Sequence, residues 1–193
     1  MHQIVTNGFY KYNGGITREV SDVIRRSFDE TIAEESVVYK TGTTDPIVDS
    51  SIRSCKTMWI PNTHWISGMM FHFVNIANQM MFDFDLEMWC GDIQYTIYEG
   101  SKTYYDWHTD FSPDFKKDFV RKLSISLMLS SADEYEGGEF ELDMGKGDNK
   151  NGKFKLDVGD LVVFPSNMWH RVNPITSGKR VCLVGWFGGP PFK

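Results

Sequence analysis

The chain has 193 residues, 41% hydrophobic and 15% aromatic, with a formal net charge of −6. That much apolar material excludes a disordered chain, and the length suits one domain over residues 1–193. The acidic balance argues against nucleic acid or an anionic membrane as partner. Cys55, Cys90 and Cys182 are widely separated and form no C-x-x-C pair. A reducing, intracellular (cytoplasmic) setting is therefore expected rather than a disulfide framework. With no secretory-signal pattern and no apolar run of bilayer-spanning length, the expectation is a soluble protein.

In chain order, a strand is predicted from Ile4 to Tyr10, ended by Asn13-Gly14-Gly15. A helix follows from about Thr17, its N-cap, with Val20, Val23, Ile24, Phe28 and Ile32 at helical spacing. Residues 40–51 read as loop. A second helix is predicted over Asn62–Met81, with an apolar face broad enough to pack on the outside of a sheet. His64 and His72 lie eight apart on or beside it, so they form no helical metal pair.

From Phe84 the period changes to two. Candidate strands are Phe84–Trp89, Asp92–Glu99, Tyr104–Thr109, Leu123–Ser130, Glu139–Met144, Lys153–Val158, Leu161–Phe164 and Arg180–Phe187. Many short strands with regular turn signals indicate a jelly roll, a double-stranded β-helix. The whole reads as α+β: residues 1–83 as a helical buttress, 84–193 as the jelly-roll core.

The stretch Tyr104–Asp110 carries the chemistry. In an extended segment His108 and Asp110 point to one face and can reach one metal ion. His170 is the only histidine C-terminal to them. Two imidazoles and a carboxylate form the facial triad of non-haem Fe(II) oxygenases. The polar segment Phe111–Lys122 that follows is a candidate lid, and equally a plain loop. Next, Leu123, Ile125, Leu127 and Leu129 form a face expected to bury between the sheets. Ser124, Ser126, Met128 and Ser130 are expected to look into the hollow. A turn centred near Ile175 would set Arg180 beside His170, both inward. An inward arginine needs a carboxylate, from a small dicarboxylate ligand or from the chain's own acids.

These residues resemble the Fe(II)- and 2-oxoglutarate-dependent dioxygenases, specifically the prolyl-4-hydroxylase-like branch and its PKHD-type hydroxylases. The resemblance runs from about Gln94 to Trp186, through His108-x-Asp110, Tyr135-x-Gly137-Gly138-Glu139, Gly159-Asp160 and His170…Arg180. It implies that His108, Asp110 and His170 ligate iron, that Arg180 binds the distal carboxylate of 2-oxoglutarate, and that Tyr98 lies against that cosubstrate. Met128 stands where some relatives carry a tyrosine, and Cys182 replaces a serine and reads as a small core residue. The implied activity is hydroxylation of a C–H bond coupled to decarboxylation of 2-oxoglutarate to succinate and CO2. Ascorbate as a reductant is a further implication of the resemblance. Because Asp110 is present, hydroxylation is expected rather than halogenation. The substrate class stays open between a prolyl or other peptide side chain and a small molecule, with Phe111, Phe115 and Trp169 as aromatics near the mouth. The rival readings are a jelly-roll module that binds metal or ligand without turnover and a cupin-like roll with incidental histidines.

Overall fold

Alternating strands build two antiparallel sheets that face each other as a double-stranded β-helix, with helices against one outer side. The computed structural model describes residues 2–6, 8–38, 47–111, 113–114, 118–145 and 151–192. The larger sheet runs His2–Thr6, Phe9–Asn13, Leu161–Pro165, Phe119–Met128, Ile175–Gly189, Ile93–Glu99, Lys56–Ile60, Glu34–Glu35 in spatial order. The smaller runs Asn151–Phe154, Phe140–Asp143, His170–Val172, Tyr104–His108, Arg53–Ser54. The first 83 residues thus supply strands to both sheets as well as the buttressing helices.

Two apolar layers follow from the alternation of side chains along each strand. Leu123, Ile125, Leu127 and Leu129 join Ile66, Met70, Phe73 and Val74 in the layer between the larger sheet and the helices. Met128, Phe164, Cys182 and Tyr98 meet Phe140, Leu142 and Val172 between the two sheets. This corrects the expectation for the leucine face: it lies under the helices, and the serine face lies between the sheets.

Several elements differ from the sequence expectation for local reasons. The predicted strand Ile4–Tyr10 is a hairpin, His2–Thr6 paired with Phe9–Asn13, the run being broken at Gly8 with its φ of 130°. The first helix, Arg18–Arg26, starts at the expected cap: Val20 N–H donates to Thr17 Oγ1 at 3.4 Å. It stops before Phe28 because Ser27 closes it, its hydroxyl donating to Val23 O at 2.8 Å. Ile32 ends a separate 3-10 turn, 66% exposed. The second helix, Trp65–Ala77, loosens into a π-helical turn, Asn78–Phe82, which ends at Asp83 with φ 51°. It packs on Phe119–Met128 and Leu161–Pro165, the expected sheet-facing role. Only Met88–Trp89 of the Phe84–Trp89 run is strand, whereas the last strand extends to Ile175–Gly189.

Gly159-Asp160 clamps the N-terminal hairpin to this frame. Asp160 Oδ1 accepts from Gly14 N–H at 2.9 Å, and Gly15 N–H donates to Gly159 O at 2.8 Å. Gly159 has φ +82°, and a Cβ there would stand 2.1 Å from the Ile16 carbonyl oxygen. Gly159→Ala should therefore cost more than the roughly 1–3 kcal/mol of a left-handed backbone, since the clash is with backbone that cannot swing away. Urea unfolding checks this; a shift below 1 kcal/mol would contradict it.

Candidate functional site

His108 ends the strand Tyr104–His108 and His170 begins the strand His170–Val172. The two residues are direct partners across that antiparallel pair, so their rings share a face, with centroids 4.0 Å apart. Asp110 lies just past the strand end, its N–H donating to Ser166 O at 2.9 Å. Its Oδ2 is 3.4 Å from His170 Nε2, and its Oδ1 3.9 Å from His108 Nε2. One ligand atom from each lies within 4.8 Å of the others, which makes this the metal-competent cluster among the described residues.

The second ring nitrogens decide what these imidazoles present. His108 Nδ1 lies 2.7 Å from Asp106 O and His170 Nδ1 3.0 Å from Met168 O. A carbonyl only accepts, so each Nδ1 carries the proton, and each ring in its neutral form turns an Nε2 lone pair inward. Burial, reinforced by His170, pushes the His108 pKa down to about 3, which keeps that ring neutral. Burial acts to raise the Asp110 pKa, but His170 and His108 outweigh it and hold the carboxyl below its usual range. Ser124 Oγ also donates to Asp110 Oδ2 at 2.8 Å. The buried Trp186 indole adds to this effect although its N–H closes no ordinary hydrogen bond. Ligands at about 2.1 Å from one ion at right angles stand about 3 Å apart, so these spacings need only a small closure to fit.

Arg180 faces this cluster across the gap between the sheets, which corrects the hairpin expectation. His170 belongs to the smaller sheet, whereas Arg180 belongs to the larger and pairs with Tyr98. The chain changes sheets at 173–174 instead of turning back on itself. Arg180 is fully buried, with Cζ 5.3 Å from the Tyr98 ring. Nη1 donates to Cys182 Sγ at 3.2 Å, while Nε and Nη2 have no partner. Among the described residues no carboxylate pairs with it, so the expectation of an internal ion pair fails. Gly138 (φ +64°) makes room for it, since a Cβ there would press Arg180 Cδ at 3.2 Å and Ile175 Cδ1 at 2.2 Å.

One cavity of about 710 Å3 takes in the triad, Arg180, Tyr98 and Ser126. Phe111 lines it, 39% exposed; Trp169 is exposed but does not line it, and Phe115 lies outside the described residues. Trp59 and Trp186 line it as well, with Arg121 4.4 Å over the Trp186 ring. Within the candidate lid, Pro113–Asp114 pairs with Phe119–Val120 as a short hairpin, and residues 112 and 115–117 lie outside the described set. Sequence reasoning missed Arg53, a second buried arginine on the cavity wall. Its signal was available: Arg53-Ser-Cys55 and Arg180-Val-Cys182 share an R-x-C spacing, and in strands that sets guanidinium and thiol on one face.

Two imidazoles and a carboxylate converging inside a jelly roll define a mononuclear, non-haem metal protein with open coordination positions. Residues 93–188 match the 2OG-Fe(II) oxygenase superfamily, and the chain belongs to that superfamily. A PKHD-type hydroxylase of Synechococcus sp. (strain CC9605) is 42% identical over 82 residues, covering 42% of this chain and 35% of that one. One from Crocosphaera subtropica (strain ATCC 51142 / BH68) is 37% identical over 95 residues, covering 49% and 41%. The matched stretch thus spans about a third to two fifths of these relatives' length. Among solved structures, a Pseudomonas putida prolyl-4-hydroxylase superposes with TM-score 0.67 at 19% identity, covering 93% of this chain and 91% of that one. A Trichoplax adhaerens prolyl hydroxylase, in complex with a hypoxia inducible factor oxygen degradation domain peptide fragment, gives 0.72 at 19%, covering 94% and 84%. At that identity the structures speak for the fold. Among the described residues no helix is long and apolar enough to cross a membrane.

Proposed function

We propose that the protein is a 2-oxoglutarate-dependent hydroxylase in which His108, Asp110 and His170 hold Fe(II) and Arg180 receives the distal carboxylate of the cosubstrate. The observation that carries this is the fully buried Arg180 guanidinium, which among the described residues has no carboxylate partner and lines the cavity that holds the triad. A guanidinium cannot shed its charge at physiological pH, so a dicarboxylate ligand supplies what the chain withholds. With both groups bound, the available chemistry is O2-dependent hydroxylation of a C–H bond coupled to decarboxylation of 2-oxoglutarate to succinate and CO2.

The chain's own contribution is positional. The Nδ1–H bonds aim both imidazoles, Ser124 fixes the Asp110 carboxylate, and Arg180 sets the direction of the cosubstrate along the floor between the sheets. Tyr98, opposite Arg180 in register, walls that floor. Phe140, Phe164 and Val172 exclude water from the triad's apolar side. A peptide side chain is the substrate class we favour, given the aromatic rim of Trp59, Trp186 and Phe111 and the peptide bound by the Trichoplax relative.

The test is anaerobic Fe(II) plus 2-oxoglutarate, which should give a weak visible charge-transfer band, followed by succinate release on admitting O2. A band without succinate would indicate the non-catalytic binding module, and no band would remove the metal reading. Ser124→Ala should weaken metal affinity by about 10- to 100-fold, the usual effect of losing an outer partner of a ligand, with the fold unchanged. Metal titration under a competing chelator reads this, and an unaltered affinity would count against Asp110 as a ligand.

A further inference from the structure

Arg53 enters the same cavity, and the reading above gives it no task. It lies on the two-residue edge strand Arg53–Ser54 of the smaller sheet, in register with Tyr105. The residue is only 7% exposed. Its Cζ sits 4.5 Å over the Tyr105 ring, and Nε donates to Cys55 Sγ at 3.1 Å. Nη2 is buried with no partner, and among the described residues no carboxylate forms an ion pair with it. Tyr105 in turn stacks on His108, with centroids 3.5 Å apart and planes at 14°. The free N–H groups of Arg53 therefore stand one ring away from the first triad residue. Arg53 also walls a smaller adjoining hollow of about 290 Å3, which shares Trp59 and Gln94 with the main cavity.

The cavity thus holds two buried guanidinium groups, one from each sheet, and among the described residues neither meets an acid. A buried arginine that cannot neutralise and has no counterion is a liability to the fold. Two such groups in one hollow call for two separate carboxylates. A single 2-oxoglutarate with its other end at the metal has only one distal carboxylate, and Arg180 accounts for that. The Arg53 side is the substrate's side because it borders the exposed Trp59 rim of the main cavity; the second hollow, lined by Glu34 and Glu35, is not where the carboxylate would lie.

We propose that Arg53 is a specificity-determining residue that binds a carboxylate of the primary substrate, so that the substrate is acidic. This rests on the site reading above. The test uses protein loaded anaerobically with Fe(II) and 2-oxoglutarate, titrated calorimetrically with two probes. N-acetylglutamate α-amide presents a side-chain carboxylate, as a peptide would, and N-acetylproline a terminal one, as a free amino acid would. Each is compared with its neutral amide counterpart.

At least one carboxylate should bind saturably and at least tenfold more tightly than its amide, and which one does identifies the source. Arg53→Met, which keeps the apolar stem on Tyr105, should abolish that preference, and Arg53→Lys should restore part of it. The 2-oxoglutarate midpoint of the charge-transfer band should stay unchanged in Arg53→Met. If neither carboxylate is preferred, or if the preference survives in Arg53→Met while the band is intact, the proposal is overturned. If Arg53→Met weakens the band as Arg180→Met does, Arg53 serves the cosubstrate and the proposal is wrong. Absence of the band in the unmodified protein would remove the site reading, and this proposal with it.

Discussion

With Asp110 replaced by alanine, the protein is expected to fold, to lose its ferrous site and to release no succinate. The carboxylate stands between two imidazoles and is the only group of the triad that can carry negative charge. Without it a dication would meet two uncharged donors in a buried, low-dielectric setting. The loss should exceed the roughly 10- to 100-fold that an outer-shell change produces. The fold should survive because Asp110 belongs to neither apolar layer, and its backbone bond to Ser166 remains available to alanine. Circular dichroism and the anaerobic charge-transfer band read the two halves of this result. A retained band in Asp110→Ala would leave the triad without its anion and sink the assignment.

Arg180→Met should separate stability from ligand binding in opposite directions. In the ligand-free protein it removes a buried charge whose Nε and Nη2 have no partner and leaves an apolar stem in its place. Such replacements are often neutral or stabilising, so the melting temperature of the metal-free protein should hold or rise. With 2-oxoglutarate the sign reverses. Losing the guanidinium leaves a buried carboxylate unpaired, which costs about 2–5 kcal/mol and raises the cosubstrate requirement by about 30- to several-thousand-fold. Titration of the charge-transfer band gives the second quantity and a thermal melt the first. An unchanged requirement would remove Arg180 from the site, and a strong loss of ligand-free stability would make it a structural residue.

The triad was legible in the sequence because each part rests on local geometry. The i, i+2 spacing of His108 and Asp110 sets them on one face, and His170 follows in an extended stretch. Arg180 was legible as a residue but not as a placement. A ten-residue interval fits a hairpin as well as a crossing between sheets, and only the long-range pairing of Ile175–Gly189 with Ile93–Glu99 distinguishes them. The serine and leucine faces of Phe119–Met128 were separable by alternation, but which face met the helices depended on how the layers stacked. Beyond the R-x-C spacing it shares with Arg180, Arg53 carries no sequence signal of its place. It lies on a two-residue strand, too short to register as a period, and acquires its place only by pairing with Tyr104 and Tyr105. The break at Gly8, by contrast, is written in the sequence, where an Asn-Gly dipeptide interrupts a run of strand-forming residues.

The two sheets hold the two ends of the site with unequal firmness. Arg180 sits inside a fifteen-residue strand, paired there with Tyr98 of Ile93–Glu99, and the strand's ladder with Phe119–Met128 starts two residues on, at Cys182. His108 ends a five-residue strand whose outer neighbour is only two residues long. Amide protons around Arg180 should therefore exchange only when the whole molecule opens, while those near His108 should exchange through a local fraying event. Metal loading would tie the fraying strand to its neighbour through His170 and, through Asp110 and its Ser124 partner, to the larger sheet. Deuterium uptake at 104–108 should slow on ferrous binding, with 180–184 already protected beforehand.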